Sequence, residues 1–415
     1  MTSHPRVLLW SYGGVHSSTL PTLLIIFTIT TITPIVADIP KRLRIPAVVL
    51  ELVLGIIVGS HALDWAKRDE IVDILAEFGL AFLIFLAGFE IDFEALRGRP
   101  LKLASSAWGC SLVLGLVAGF VISWSGLALS GIVVGLALTS TALGTLLPIL
   151  RDSGRLVTPF GVHVLANGAA AEFGPIIAIA LVLGGKDPGR ATATLFAFVV
   201  IAVAAVWLSL RTPPEWLSRL ARTTLTTSGQ LPIRIAILMI AALVWWAARL
   251  ELDILLGAFV AGVVFRGFSR SAHDHEQLHV IESKLDAVGF GFLIPFFFVV
   301  SGMKFDLHAL TSDAGAIAKL PLFLVLLLVV RGVPILVLYR SALDAANRRA
   351  LALMSSAGLP LIVVITTIGV DSGRMKPGNG AALVGAGMLS VLLFPSLAMS
   401  LLAGDVSPRK SPQDS

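Results

Sequence analysis

Long apolar runs alternate with short polar connections along almost the whole chain. Thirteen such segments can be marked, roughly at 19–37, 45–60, 71–96, 101–123, 127–150, 158–184, 191–210, 233–250, 253–268, 285–303, 319–339, 349–370 and 378–403. Most come close to or exceed the roughly 20 residues a helix needs to cross a bilayer. In hydrocarbon every backbone N–H and C=O must be satisfied internally, which selects helix for an isolated apolar segment. The pattern predicts an all-α membrane protein of about 13 transmembrane helices. The first run has no basic n-region and no small-residue cleavage site, so it is expected to be a span and not a removable signal. The longest polar interval, Arg211 to Pro232, is too short for a separate soluble domain. Residues 1–403 are therefore expected to form one transmembrane domain, with 404–415 a disordered cytoplasmic tail.

The two halves of the pattern repeat. Ala87-Gly88-Phe89-Glu90-Ile91-Asp92 resembles Ser301-Gly302-Met303-Lys304-Phe305-Asp306, with Gly88 and Gly302 separated by 214 residues. Ala142-Leu143-Gly144 answers Ser356-Ala357-Gly358 at the same offset, and Asn167-Gly168-Ala169-Ala170 answers Asn379-Gly380-Ala381-Ala382 at 212. The first repeat runs over about 19–184 and the second over about 233–403, joined by a linker helix at about 191–210. Six segments, a seventh and six more place the halves in opposite orientation, giving the two inverted six-helix repeats of many secondary transporters.

Composition agrees: 56% of the 415 residues are hydrophobic and 14% charged, against about 25% charged in soluble domains. A single cysteine, Cys110, excludes a disulfide scaffold and a cysteine metal cluster. The net charge of +5 is not a nucleic-acid footprint, because the basic residues are scattered through short loops. Those loops favour one side about two to one, which orients the N-terminus outside and the C-terminus in the cytoplasm.

Charges inside the apolar runs are costly and mark candidate sites. Glu172 stands mid-segment in Asn167-Gly-Ala-Ala-Ala-Glu172-Phe-Gly-Pro175. Pro175 has no N–H, which frees the carbonyl of Ala171. A carboxylate beside a free carbonyl is an oxygen-rich site for a hard cation such as Na⁺ or K⁺, and the same carboxylate can hold a proton instead. A hydrogen-bonded structural acid is the plainer alternative. Arg331 is the basic residue deep in a span and needs a compensating partner, unless it snorkels to an interface. Thr139-Ser140-Thr141-Ala142-Leu143-Gly144, with Pro148 beyond, and Ser355-Ser356-Ala357-Gly358-Leu359-Pro360 read as matched helix breaks. Such breaks are tolerated at membrane depth where they line a cavity; small-residue helix packing is the alternative. Glu51 and Asp253 are further embedded acids, whereas Glu90, Asp92 and Asp306 sit at span ends. His275 and His279 share a helix face beside His273, but no third ligand follows at a metal-site spacing.

At these residues the chain resembles the monovalent cation:proton antiporters, in the branch of bacterial sodium/proton and potassium/proton exchangers. Ile45-Pro-Ala-Val-Val-Leu-Glu51-Leu-Val-Leu-Gly55-Ile-Ile-Val-Gly59, Phe85-Leu-Ala-Gly88-Phe-Glu90-Ile-Asp92 and Ile294-Pro295-Phe-Phe-Phe-Val-Val-Ser301-Gly302-Met303 are similar to three of its segments. The resemblance implies an ion- and proton-binding acid in the sixth span. Its paired position falls on Ala171-Glu172, so the acid is kept as Glu and its polar neighbour has become Ala. It further implies two crossing broken helices at Thr139–Thr141 and Ser355–Gly358, a basic residue at Arg331, and a homodimer in a bacterial inner membrane. Asn167, Ala171, Thr139, Ser140, Thr141, Ser355, Ser356 and Gly358 are expected to line the site, with Glu172 binding the transported monovalent cation. Protons, monovalent cations and lipid are the implied partners, and no cofactor is implied. The expected function is one-for-one cation:proton exchange by alternating access; an uncoupled cation pathway and a proton-coupled small-solute transporter are the alternatives. No nucleophile, metal or nucleotide motif suggests an enzyme.

Overall fold

A computed structural model describes residues 19–38, 47–90, 98–125, 129–156, 158–183, 200, 204, 223–225, 227–250, 254–272, 275–305, 307–311 and 314–403. Within them the regular structure is helical: α1 Thr19–Asp38, α2 Ala47–Val58, α3 Glu70–Glu90, α4 Arg99–Trp124, α5 Gly131–Leu138, α6 Leu143–Asp152, α7 Pro159–Leu183, α8 Leu231–Arg249 and α9 Ile254–Ala272. There follow α10 His275–Val288, a π-helical turn Gly289–Leu293, α11 Ile294–Lys304, the short α12 Leu307–Thr311, α13 Ala314–Leu338, a 3₁₀ turn Tyr339–Ser341, α14 Ala345–Ser355, α15 Pro360–Asp371 and α16 Pro377–Ala403. Among the described residues, eight helical stretches are long and apolar enough to cross a membrane, and Ala47–Val58 and Gly131–Leu147 are shorter apolar helices. Apart from residues 200 and 204, the expected linker helix at 191–210 lies outside the described residues, as does the tail at 404–415.

The helices pack in two groups. In one, α3 lies along α9, α2 along α11, and α8 against α9, with α1 beside α2. In the other, α4 packs on α5 and α7, and α13 lies among α16, α14 and α4. Lipid is as apolar as leucine, so helices associate through close backbone approach instead of hydrophobic exclusion. At the α4–α5 crossing Gly115 and Gly119 meet Gly131 and Gly135; a Cβ on Gly119 would stand 2.0 Å from the Gly131 carbonyl oxygen. The two groups touch where Leu83 of α3 fills the space over Gly144 of α6.

Two spans are interrupted. The α5 helix ends at Leu138 and α6 begins at Leu143; α14 ends at Ser355 and α15 begins at Pro360. Pro360 sits at the first turn of α15, where its missing N–H costs nothing and its fixed φ suits helix initiation. Pro175, by contrast, lies inside the continuous α7.

The composite α10–α11 element begins ten residues before the apolar run expected at 285–303. Its early turns are polar and are held by contacts that hydropathy does not register. Arg266 Nη1 donates to Glu282 Oε1 at 2.6 Å, His279 Nδ1 lies 3.2 Å from Glu282 Oε2, and Lys284 donates to Gln230 Oε1 at 2.8 Å.

Candidate functional site

The broken segments cross and bond to each other. Thr141 Oγ1 donates to the Ser355 carbonyl at 2.5 Å, and the Ala142 N–H donates to the Ala357 carbonyl at 2.7 Å. Gly358 lies against Ser140, so that a Cβ there would be 3.1 Å from the Ser140 carbonyl oxygen. Its N–H donates to Ser390 Oγ of α16 at 3.1 Å. Each half-helix that stops mid-protein leaves carbonyls without helical donors. Side-chain hydroxyls take up several: Thr139 Oγ1 donates to Leu136 O and Ser140 Oγ to Ala137 O, both at 2.8 Å, and Ser356 Oγ donates to Ala352 O at 2.7 Å. These three hydroxyls serve their own helix ends.

Arg331 organises the crossing. It is 0% exposed, so it does not snorkel. Its Nε donates to Thr141 Oγ1 at 3.1 Å and to the Ser355 carbonyl at 3.3 Å, its Nη1 to Ser111 Oγ of α4 at 3.1 Å, and its Nη2 to Asn167 Oδ1 of α7 at 3.3 Å. One guanidinium thus ties α13 to α4, α7 and both breaks. The compensation comes from neutral oxygens, including a carbonyl at the negative C-terminal end of α14; no ion pair to Arg331 is present among the described residues.

Asn167 is held from its other end by Tyr339, its Nδ2 donating to the phenolic oxygen at 2.8 Å. The Tyr339 ring is 0% exposed and stands edge-on to His163 at 5.3 Å between centroids. Sequence reasoning passed over Ser111 and Ser390, which lie in apolar runs without a neighbouring charge, and Tyr339, which ends such a run beside Arg340. The rarity of tyrosine, two in the chain, was the available signal for Tyr339. Removal of the hydroxyl in Tyr339→Phe leaves the buried Asn167 amide short of one acceptor, with an expected loss of about 1–3 kcal/mol. Thermal unfolding in detergent measures it; an unchanged midpoint contradicts the network.

Glu172 is 1% exposed, and its Oε2 has no hydrogen-bond partner. It lies one helical turn beyond Gly168 on the same face of α7. That face looks toward the first break, because a Cβ on Gly168 would be 2.5 Å from Cδ1 of Leu143, the first residue of α6. The opposite side of α7 carries Gly174, against which the Trp108 indole of α4 is packed. Ala171 is fully buried beside Glu172. The structure therefore gathers Thr141, Asn167, Ser355 and Arg331 into one hydrogen-bonded knot, and sets Glu172 near it, one turn from the break, without a bond to any of them. Asp92, Asp253, Asp306 and His273 lie outside the described residues. His279 pairs with Glu282.

A family profile described as sodium/hydrogen exchanger, transmembrane, matches residues 26–403. The Na(+)/H(+) antiporter of Enterococcus hirae is 25% identical over 384 residues, covering 88% of this chain and 93% of its own. The Na(+)/H(+)-K(+) antiporter GerN of Bacillus cereus is 25% identical over 304 residues, covering 71% and 74%. The Bacillus subtilis protein YjbQ is 25% identical over 412 residues, or 95% of this chain, which spans 65% of YjbQ's length. Among solved structures, the sodium proton antiporter MjNhaP1 from Methanocaldococcus jannaschii shares the fold, with a TM-score of 0.65 at 17% identity, covering 93% of this chain and 97% of that one.

Proposed function

The chain belongs to the sodium/hydrogen exchanger family, a family of transporters and not enzymes, and on that premise we propose that it is a secondary antiporter exchanging Na⁺ or K⁺ for protons at Glu172. The observation that carries the reading is the fully buried carboxylate with an oxygen free of hydrogen bonds, one turn from a helix break. An intramembrane acid without a partner is expensive unless it binds something. Pro175 leaves the Ala171 carbonyl without its helical donor, adding a second oxygen next to the carboxylate. The names of the E. hirae and B. cereus relatives support cation:proton exchange, and the second of them supports K⁺ as well as Na⁺.

Neither aqueous side reaches Glu172 in this arrangement. Access therefore requires one helix group to move against the other, with the knot at Arg331 keeping α4, α7, α13 and both breaks together. This is alternating access, and it argues against an open pathway. The full architecture in this reading is two inverted six-helix repeats around a linking seventh helix, thirteen spans in all, with the N-terminus outside, the C-terminus in the cytoplasm of a bacterial inner-membrane protein, and two copies forming a homodimer.

Exchange is one cation per proton. Glu172 is the one carboxylate of the proposed site among the described residues; Ala171 offers no second acid and arginine does not release a proton. Each half-cycle then carries one positive charge on a neutralised Glu172, and the cycle moves no net charge. Proton flux in liposomes with Na⁺ as substrate, measured with and without an imposed potassium–valinomycin potential, is expected to be the same; the voltage is set another way if K⁺ is a substrate. Flux that tracks the voltage means that a second charge moves.

A further inference from the structure

A second carboxylate is buried in the other helix group. Glu51 of α2 is 4% exposed, and Thr33 of α1, which faces it, is 0% exposed. Thr33 Oγ1 stands 3.4 Å from Glu51 Oε1 and 3.4 Å from the carbonyl oxygen of Thr30. That carbonyl is short of a donor for a local reason. Its helical partner four residues on is Pro34, which has no N–H.

The count of hydrogens decides the chemistry. Thr33 has one hydroxyl hydrogen and two acceptors waiting for it. If Glu51 is a carboxylate, the hydroxyl serves only one of them, and the other buried oxygen goes unsatisfied. If Glu51 carries a proton, the carboxyl O–H donates to Thr33 Oγ1 and the hydroxyl donates on to Thr30 O. The chain then closes with every hydrogen used.

The surroundings favour the same form. The helices packed along α2 are α1, α11 and α16. Between them these carry two charged residues, Asp38 and Lys304, each the last residue of its helix. On α2 itself Glu51 is the one ionisable residue. No cation faces it to hold a carboxylate charge among the described residues, and an unpaired charge at such a place is costly.

We propose that Glu51 is a second proton-binding site in the membrane, a neutral acid that joins α2 to α1 through Thr33 and Thr30 and keeps its proton while Glu172 exchanges its own. The site is assigned a proton because a proton on Glu51 completes the Thr33–Thr30 chain with every hydrogen used, and no charged partner faces the carboxyl among the described residues. This accounts for an acid in the membrane that adds no charge to the transport cycle; only that last point rests on the exchange reading.

Infrared spectroscopy of the purified protein at neutral pH tests it, because a protonated carboxyl absorbs apart from a carboxylate. The expected result is a protonated-carboxyl C=O band that is present in wild type and in Glu172→Gln, unmoved by added Na⁺ or K⁺, and missing in Glu51→Gln. Glutamine preserves the chain, since its amide donates to Thr33, so this variant is expected to fold. Thr33→Val gives an independent check: the band stays and shifts, having lost its acceptor. A band unchanged in Glu51→Gln, or loss of a carboxylate band in its place, overturns the proposal, as does a band that responds to Na⁺ in the Glu172→Gln background. The measurement reads a proton and not flux, so its failure leaves the exchange reading intact, and a failure of exchange leaves the band.

Discussion

Glu172→Gln is expected to insert and fold, yet lose cation-dependent proton flux by about 100-fold or more. Glutamine is nearly the same size, and Glu172 Oε2 makes no hydrogen bond that the substitution would break, so folding stability changes little. What disappears is the charge and the titration. A charge-assisted contact in a buried site is worth up to about 3 kcal/mol more than none, and each 1.4 kcal/mol is about tenfold in binding. The loss of proton exchange is more severe still, because an amide has no proton to trade at accessible pH. Glu172→Asp retains the chemistry with a shorter reach, so residual flux with altered cation affinity is expected. The readout is proton flux from purified variants in liposomes, beside a thermal unfolding curve. Normal flux in the glutamine variant removes Glu172 from the mechanism.

Arg331→Ala is expected to be the most destabilising single change in the site. Thr141 Oγ1, the Ser355 carbonyl, Ser111 Oγ and Asn167 Oδ1 all accept from this one side chain. Truncation strands acceptors that water does not reach, each costing about 1–3 kcal/mol, and leaves a cavity where a fully buried arginine stood. Relief of the buried charge offsets part of this. The net loss is expected to be at least about 3 kcal/mol, with transport falling because the two breaks lose their common anchor. Arg331→Lys keeps the charge but cannot span four acceptors from one ammonium, so an intermediate loss is expected. Unfolding midpoints of the two variants, measured in the same detergent, order them; wild-type stability in Arg331→Ala denies the knot any structural role.

Much of this was legible in the chain because hydrocarbon imposes simple rules. Apolar runs placed most helices to within a few residues, and proline with small hydroxyl residues marked the interruptions at 139–142 and 356–359. Glu172 and Arg331 stood out because charge is rare in such runs. The partners of Arg331 were harder. A counter-charge is the natural expectation for a buried arginine, but the structure satisfies it with two hydroxyls, an amide and a helix-end carbonyl. Ser111 and Tyr339 reach it, or its partner Asn167, from helices more than a hundred residues away in sequence. Long-range polar contacts leave no periodicity, which is also why the polar start of α10 was missed. The short spacing between Gly168 and Leu143 carries the same lesson. Glycine signals close approach, but not by which helix.

The central claim is coupled exchange of a monovalent cation for protons, and acid-loaded liposomes containing the purified protein test it most directly. The pH gradient is followed by a fluorescent dye while Na⁺, K⁺ or Li⁺ is added separately outside. The account predicts that at least one of them collapses the gradient in a saturable manner, that protein-free liposomes do not respond, and that the response vanishes in Glu172→Gln. A gradient that none of the three cations dissipates, in protein shown to be folded, contradicts it.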